Sequence, residues 1–404
     1  NISGMSLAAL VGILLNLFTM NKKARVIAFY LPQFHPIPEN DKWWGKGFTE
    51  WTNVAKAKPL FRGHYQPKIP TDLGFYDLRL PIIREQQAEM AREAGVEGFC
   101  YWHYWMGGGR MLLERPFKEV LDSGKPDFPF CLGWANGPWS NRSWSVGSFM
   151  KSDSILMDQT YGHDDYIKHF EYVLPAFKDT RYITVDGKPL FYIHDPLIIP
   201  DLKDFISLWR ELAIANGLKG IYFVGRSQNI TFREIGKQGE GRLVLPNKNN
   251  ARDLYKYVLD CGFDAVNSRG AIKAAYELGG KFDVFFRKVY YKIFKVGLLK
   301  KYKQEDINKH LYVEEDKWEN VHPTIIPCYD RSPREGKMAV IYTDSTPEVF
   351  EKQIHTVLDL VKDKQDEHKI VFLQAWNEWA EGNYMEPDMK YGHGYLDALR
   401  KSIG

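Results

Sequence analysis

Two glutamates three residues apart, Glu378 and Glu381, stand in the run Trp376-Asn377-Glu378-Trp379-Ala380-Glu381-Gly382, with Glu386-Pro387 shortly after. Acids flanked by indoles and an asparagine resemble a reactive site more than a solvated loop. Cleaving a glycosidic bond needs a proton donor for the leaving oxygen and a second carboxylate that attacks or stabilises the anomeric side. Packing against aromatic rings desolvates a carboxyl and raises its pKa, so one of the two acids can stay protonated near neutral pH. The plainer alternative gives one of the glutamates a capping or structural role. Composition narrows the other classes. Of 404 residues, 54 are Lys or Arg and 51 are Asp or Glu, a balance that argues against a nucleic-acid binder. Cys100, Cys131, Cys261 and Cys328 form no CxxC pair, which argues against a disulfide framework or a zinc ribbon. With no HExxH, no grouped His/Asp ligands and no P-loop, neither metal nor cofactor is expected.

The elements that would hold these acids recur from Ala24 onward. Short apolar runs lie at 25–31 (RVIAFYL), 98–102, 130–134, 190–193, 221–225, 263–266, 324–328 and 370–376 (IVFLQAW). Nearly continuous apolar runs suit parallel strands buried on both faces. Helical patterns fall between them at 80–94, 166–177, 202–215, 347–364 and 395–403, with Gly95 and Asn216-Gly217 as stops and Thr346 as an N-cap. Pro175 ends or kinks the second of these. Alternation of this kind predicts an α/β protein, a (β/α)8 barrel, with long loops after strand 1 (32–77) and between strands 6 and 7 (269–323). A doubly wound sheet would want a glycine-rich first turn, where this chain has Pro32-Gln33-Phe34-His35-Pro36.

In a barrel, chemistry sits at the C-terminal ends of the strands. Ten of the 12 tryptophans fall there: Trp43, Trp44, Trp51, Trp102, Trp105, Trp134, Trp139, Trp144, Trp376 and Trp379. Aromatic faces at a cleft suit the C–H faces of sugars, although large loops also need aromatic cores of their own. Polar residues converge on the same end: Gln33, His35, Glu50, His103, Asn136, His194, Asp195, Arg226, Asp330, Arg331 and Asn377. Gln33, His35, Glu50, Trp51, Trp102, His103, Trp134, Asn136, Asp330, Trp376 and Asn377 are the expected substrate-binding residues, around Glu378 and Glu381 as the catalytic ones.

The residues 25–34 (RVIAFYLPQF), 47–54 (GFTEWTNV), Trp134-Ala135-Asn136 and 375–383 (AWNEWAEGN) resemble the WbsX-like group of glycan-active proteins, itself related to glycoside hydrolase family 99. The likeness runs from about Arg25 to the C-terminus. It implies a (β/α)8 barrel acting on α-mannose-containing glycans with retention of configuration. Glu378 and Glu381 occupy the places of the family's catalytic pair, with Ala380 where the hydrolases have His. By that resemblance Glu378 is the base on the sugar 2-hydroxyl, which attacks its own anomeric carbon. Glu381 is then the acid on the leaving oxygen and afterwards the base for water. WbsX-like members are often labelled polysaccharide-biosynthesis glycosyltransferases, such as those of O-antigen. Transfer and non-catalytic glycan binding therefore stand as alternatives to hydrolysis, and an oligosaccharide or polysaccharide is the expected partner.

Two segments fall outside this scheme. Residues 6–20 (SLAALVGILLNLFTM) are apolar but short for a membrane span, with Lys22 and Lys23 after them. They read as an N-terminal extension (1–20) to a single domain at 21–404, without an export signal and so cytoplasmic. Residues 282–303 place Phe282, Phe285, Phe286, Val289, Ile293 and Val296 on one helical face. Arg287, Lys288, Lys292 and Lys295 lie on the other, and Lys300, Lys301 and Lys303 follow. Such a helix either packs on the barrel or lies peripherally on an anionic membrane.

Overall fold

The computed structural model describes residues 22–140, 154–227, 251–294 and 298–404. Eight strands form the barrel: β1 (Arg25–Tyr30), β2 (Gly98–Gly107), β3 (Phe130–Trp134), β4 (Lys188–Ile193), β5 (Tyr222–Arg226), β6 (Ala265–Ser268), β7 (Val321–Ile325) and β8 (Ile370–Leu373). Each pairs in parallel with the next, and β8 returns to β1 in the register Arg25↔Ile370 to Ala28↔Leu373. The sheet is therefore closed, a (β/α)8 barrel. Helices Pro81–Glu93, His163–Phe177, Leu202–Ala215, Pro347–Val361 and Gly394–Ile403 lie within a few residues of the predicted bounds. Thr346 caps its helix by accepting from the Val349 amide at 3.3 Å. Pro175 sits in the last turn of its helix, which runs on to Phe177.

Closure leaves no face of the sheet to water, which is why every strand reads as an apolar run. Alternate residues point inward, and the inward set is aromatic. The Phe29 ring stacks on Trp102 (4.7 Å, 3°) and on Phe372 (5.2 Å), and meets Tyr192 edge-on at 4.9 Å. Below the mouth, Tyr192 donates to Asn267 Oδ1 at 3.0 Å, and Asn267 donates to the Thr324 hydroxyl at 2.9 Å. Gly133 makes room for this column, since a Cβ there would lie 3.3 Å from the Trp102 ring and 3.0 Å from Cys100 Sγ.

Three strands differ from the prediction by three residues or more at one end or both. β2 runs five residues further, to Gly107, and β8 stops at Leu373, so Trp376 lies beyond the sheet. β7 begins at Val321 rather than 324, because the buried His322, which meets the Tyr222 hydroxyl at 3.1 Å, masks an otherwise apolar pattern.

The first long loop holds two short helices, Pro38–Trp44 and Glu50–Lys56. The loop between β6 and β7 holds helices Ala271–Phe294 and Gln304–Leu311, with Lys300–Lys303 paired in parallel to Val340–Thr343. The longer helix is interrupted at Gly280 (φ 67°). Before that point Ala274 packs with Ile307, Leu311 and Ile326. After it, Phe286, Val289, Ile293 and Phe294 are 37–64% exposed, so this part of the apolar stripe is not covered by the barrel. Residues 1–20, Trp144, Lys295 and Val296, and the side chains of Phe282, Phe285, Arg287, Lys288 and Lys292 lie outside the described set. Among the described residues no helix is long and apolar enough to cross a membrane.

Candidate active site

Beyond β8 the chain makes a small hairpin in which Asn377–Glu378 pairs with Asn383–Tyr384. Its turn closes at Gly382 (φ 55°), where a Cβ would fall 2.7 Å from both Asp330 Cβ and Lys68 Nζ, so only glycine fits. The hairpin is seated by polar clamps. The Asn377 amide accepts from Leu31 N (2.7 Å) and donates to Leu31 O (3.0 Å), tying the loop to the end of β1. Trp379 stacks on Tyr384 at 3.8 Å and donates to Glu386 (2.6 Å), which also accepts from Gln87 (2.6 Å) and Tyr76 (2.9 Å). Burial pushes the Glu386 carboxyl up to about 7, with those donors pulling the other way. The Ala380 amide donates to Glu50 at 2.9 Å, and the Glu381 carbonyl accepts from the Asp330 amide at 2.7 Å.

The hairpin presents the carboxyls of Glu378 and Glu381 in hydrogen-bond contact with each other. Their surroundings differ. Glu378 accepts from the Trp102 indole at 3.1 Å and has no ion pair among the described residues. Burial, reinforced by the neighbouring Glu381 charge, raises its pKa to about 7. Burial would raise Glu381 too, but the guanidiniums of Arg331 and Arg334 overcome it and hold this carboxyl near 2. Arg334 Nη1 lies 2.6 Å from Glu381, and its Nη2 lies 2.9 Å from the fully buried Glu50. The pair is thus poised as one acid and one carboxylate over the pH range between those values.

Of the expected substrate-binding residues, Trp102 reaches the pair directly. It is half-buried, and it heads a run of partly exposed rings: Tyr104 on the same face of β2, Trp139 against Tyr104 (5.3 Å), and Trp43 against Trp139 (5.8 Å). His194 lies against Trp102 at 5.2 Å. Several other candidates face elsewhere. His103 and Trp134 have the opposite strand parity and point into the helical layer. There His103 meets His169 (2.8 Å) with its pKa pushed down to about 3 by burial, and Trp134 is fully buried. Trp376 is fully buried against Phe99, and Trp51 is buried against Trp379. These three indoles build the loop core, the plainer of the two roles open to them.

Asn136 exchanges two 2.8 Å bonds with the Asp195 backbone, so it joins the β3 and β4 loops. His35 is buried with Nδ1 on the Pro32 carbonyl. The Gln33 carbonyl accepts from Glu50 N at 2.9 Å, which seats Glu50 under Arg334. Asp330 accepts from His64 (2.8 Å) and Gln66 (2.7 Å) and supports Glu381 through its backbone. Tyr104 and Arg334 are the missed residues. Alternation with Trp102 marks Tyr104, and the spacing Arg331…Arg334 just past β7 marks the second arginine.

A family model described as glycosyltransferase WbsX matches residues 26–399. The chain belongs to the WbsX family. Within it, the protein WxcX of Xanthomonas campestris pv. campestris, described as uncharacterized, is 33% identical over 383 residues in both strain B100 and strain ATCC 33913. That match covers 94% of this WbsX-family chain and 50% of WxcX, so the chain spans about half the length of these curated relatives. Among solved structures, a glycoside hydrolase-like protein aligns with TM-score 0.56 at 15% identity, over 96% of this chain and 95% of that one. The GH99 endo-alpha-mannosidase from Bacteroides thetaiotaomicron, in complex with BIS-TRIS-propane, aligns with TM-score 0.52 at 14% identity. It covers 94% of this chain and 98% of its own. WbsX-family membership makes the chain carbohydrate-related.

Proposed function

We propose that the chain is a retaining glycoside hydrolase that cleaves α-mannose-type or related polysaccharide through Glu378 and Glu381. The observation that carries this reading is the contact between two carboxyls, one ion-paired to Arg334 and the other accepting from the Trp102 indole with no ion pair among the described residues. Such contact leaves no room for the water that an inverting pair keeps between carboxyls about 6.5–9.5 Å apart. Glu378, the protonated member, gives its proton to the leaving glycosidic oxygen as the bond to the anomeric carbon breaks. Glu381, the ionised member, takes the 2-hydroxyl proton as that oxygen closes on the anomeric carbon. Water then opens the ring, losing its proton to Glu378 while Glu381 returns its own to the 2-oxygen. These roles are the reverse of those the family resemblance implies, and the Arg334–Glu381 ion pair is what favours the exchange. The family's description favours a second reading, transfer from an activated sugar by the same acids. Incubation with mannan-type oligosaccharides, with and without nucleotide sugars, separates them. Product release without a donor supports hydrolysis, and strict donor dependence overturns it in favour of transfer.

We also propose that the exposed stripe of Phe286, Val289, Ile293 and Phe294 rests on an anionic membrane surface. Residues 284–294 and 298–303 contain Arg287, Lys288, Lys292, Lys300, Lys301 and Lys303 and no acidic residue, the charge complement of such a surface.

A further inference from the structure

Four arginines surround the acid pair, and they divide into two kinds. Arg331 and Arg334 are matched by carboxylates: Arg331 lies 3.1 Å from Glu335 and 3.6 Å from Glu381, and Arg334 bridges Glu381 and Glu50. Arg226 and Arg269 are not. Arg226 ends β5 directly beside Asn267 of β6, and Arg269 directly follows β6, so both stand at neighbouring strand ends on the side of the barrel that carries the acids. Neither has an ion pair or a side-chain hydrogen bond among the described residues; the Nε of all four arginines is buried without a partner, so it is the missing ion pair that sets Arg226 and Arg269 apart. Arg226 is 5% exposed.

Burial lowers the pKa of Arg226 to about 10, Tyr192 offsets part of this, and Arg269 adds to the lowering. Asp195 and Glu381 act on Arg226 through space without bonding it, and Arg269 in turn helps keep Glu381 ionised. A desolvated guanidinium beside a second, half-buried one is costly unless something supplies negative charge. Among the described residues Asp195 and Glu381 supply negative charge only through space, with no ion pair to either guanidinium, and Glu381 is already paired to Arg334, so a further counter-charge fits a ligand. An α-mannose glycan offers such a pair hydroxyl acceptors but no negative charge.

We propose that Arg226 and Arg269 form an oxyanion-binding subsite of the active site, and that the substrate is an anionic sugar rather than a neutral one. The inference rests on the acid-pair reading and deepens it by naming the substrate class. The group bound is a carboxylate or a phosphate, which a guanidinium fork grips through paired N–H donors. A carboxylate would come from an acidic residue of the glycan, and a phosphate from an activated sugar.

The test is calorimetric titration of the full chain with three probes: a mannose oligosaccharide bearing a hexuronic acid, inorganic pyrophosphate, and neutral mannobiose. Each is run on wild type, Arg226→Gln, Arg269→Gln and the double variant. The expected result is that one anionic probe binds wild type at least about tenfold more tightly than mannobiose, with the gain lost in the double variant. A preference for the uronate names the glycan as the source of charge, and a preference for pyrophosphate names the activated sugar. Equal binding of all three probes, or a preference that survives in the double variant, overturns the subsite. Should the double variant not fold, the rise in melting temperature that pyrophosphate or the uronate gives wild type, set against each single variant, reads the same question. Repeating the titration in Glu378→Gln separates the two levels of argument. Anion preference there, with no turnover by wild type on any glycan, would sink the hydrolysis reading and leave the subsite standing.

Discussion

Glu378 and Glu381 have the same side chain and the same hairpin, yet one is held as an acid and the other as a base. The cause lies in their neighbours: an indole N–H on Glu378, two guanidiniums on Glu381. In the proposed hydrolysis the working form has Glu378 protonated and Glu381 ionised. kcat/KM should therefore climb as pH rises through the lower value and fall as pH rises through about 7, where Glu378 loses its proton. The two titrate as a pair, so the basic limb reports the second proton of the pair to leave. Glu378→Gln should lower kcat by roughly 10²–10⁴-fold and abolish that limb. A variant that keeps wild-type rates removes Glu378 from the chemistry. Arg334→Met probes the other member. Glu381 loses its closest counter-charge, so its pKa rises and the acid limb moves to higher pH. Glu50, fully buried, is left unpaired, which should cost about 3–5 kcal/mol in chemical denaturation. If Arg334→Met shifts neither stability nor the acid limb, the ion pair is not what holds Glu381 ionised.

Elements decide whether those carboxyls are where the chemistry needs them. The 377–384 hairpin is anchored by the buried Trp379 and Tyr384, and Asn377, whose amide replaces a strand partner for Leu31, ties its first strand to β1. Asn377→Ala should lose about 1–3 kcal/mol and lower kcat more than it changes KM, because the acids drift while the aromatic wall stays. A KM effect alone would assign Asn377 to sugar binding instead. The strands were legible in the sequence because both their faces are buried, leaving runs of apolar residues that composition alone exposes. The site was less so. Strand parity decides whether an indole faces sugar or core, and it depends on where a strand begins and ends. With β2 ending at 102, Tyr104 would have no place on the inner face and His103 would reach the mouth. Trp134 and Trp376 likewise carry no mark in the sequence to separate a wall ring from a core ring. The stripe after Gly280 was legible as amphipathic, but its exposure was not, since that depends on whether the barrel has a surface free to cover it. Phe286→Ser with Ile293→Ser should abolish sedimentation with phosphatidylglycerol vesicles at low salt and leave the acid-pair chemistry intact. Wild type that ignores such vesicles, or binds phosphatidylcholine equally, removes the membrane; a concentration-dependent dimer in its place points to a second copy.

At the scale of the whole molecule, the barrel interior is a ring stack that ends on the acid pair through the Trp102–Glu378 bond. Phe29, Phe372 and Tyr192 come from β1, β8 and β4, so their contact requires the sheet to be closed, and Trp102 rests on Phe29 as the last ring before the acids. The indole N–H of Trp102 favours the charged form of Glu378 and so restrains the rise in its pKa. Phe29→Ala removes the ring beneath Trp102 and opens a cavity at the barrel axis, which should cost about 3–5 kcal/mol. The loss should also travel upward. With its support gone, Trp102 settles and its bond to Glu378 weakens, so the Glu378 pKa rises further and the basic limb of the pH profile moves to higher pH. Phe29→Leu fills most of the cavity and should return most of the stability, but offers no flat face for the indole, so part of the pH shift should persist. A Phe29→Ala chain that unfolds more easily yet keeps the wild-type profile would mean that Glu378 takes its environment from the hairpin alone, and that the core bears on stability without tuning the acid.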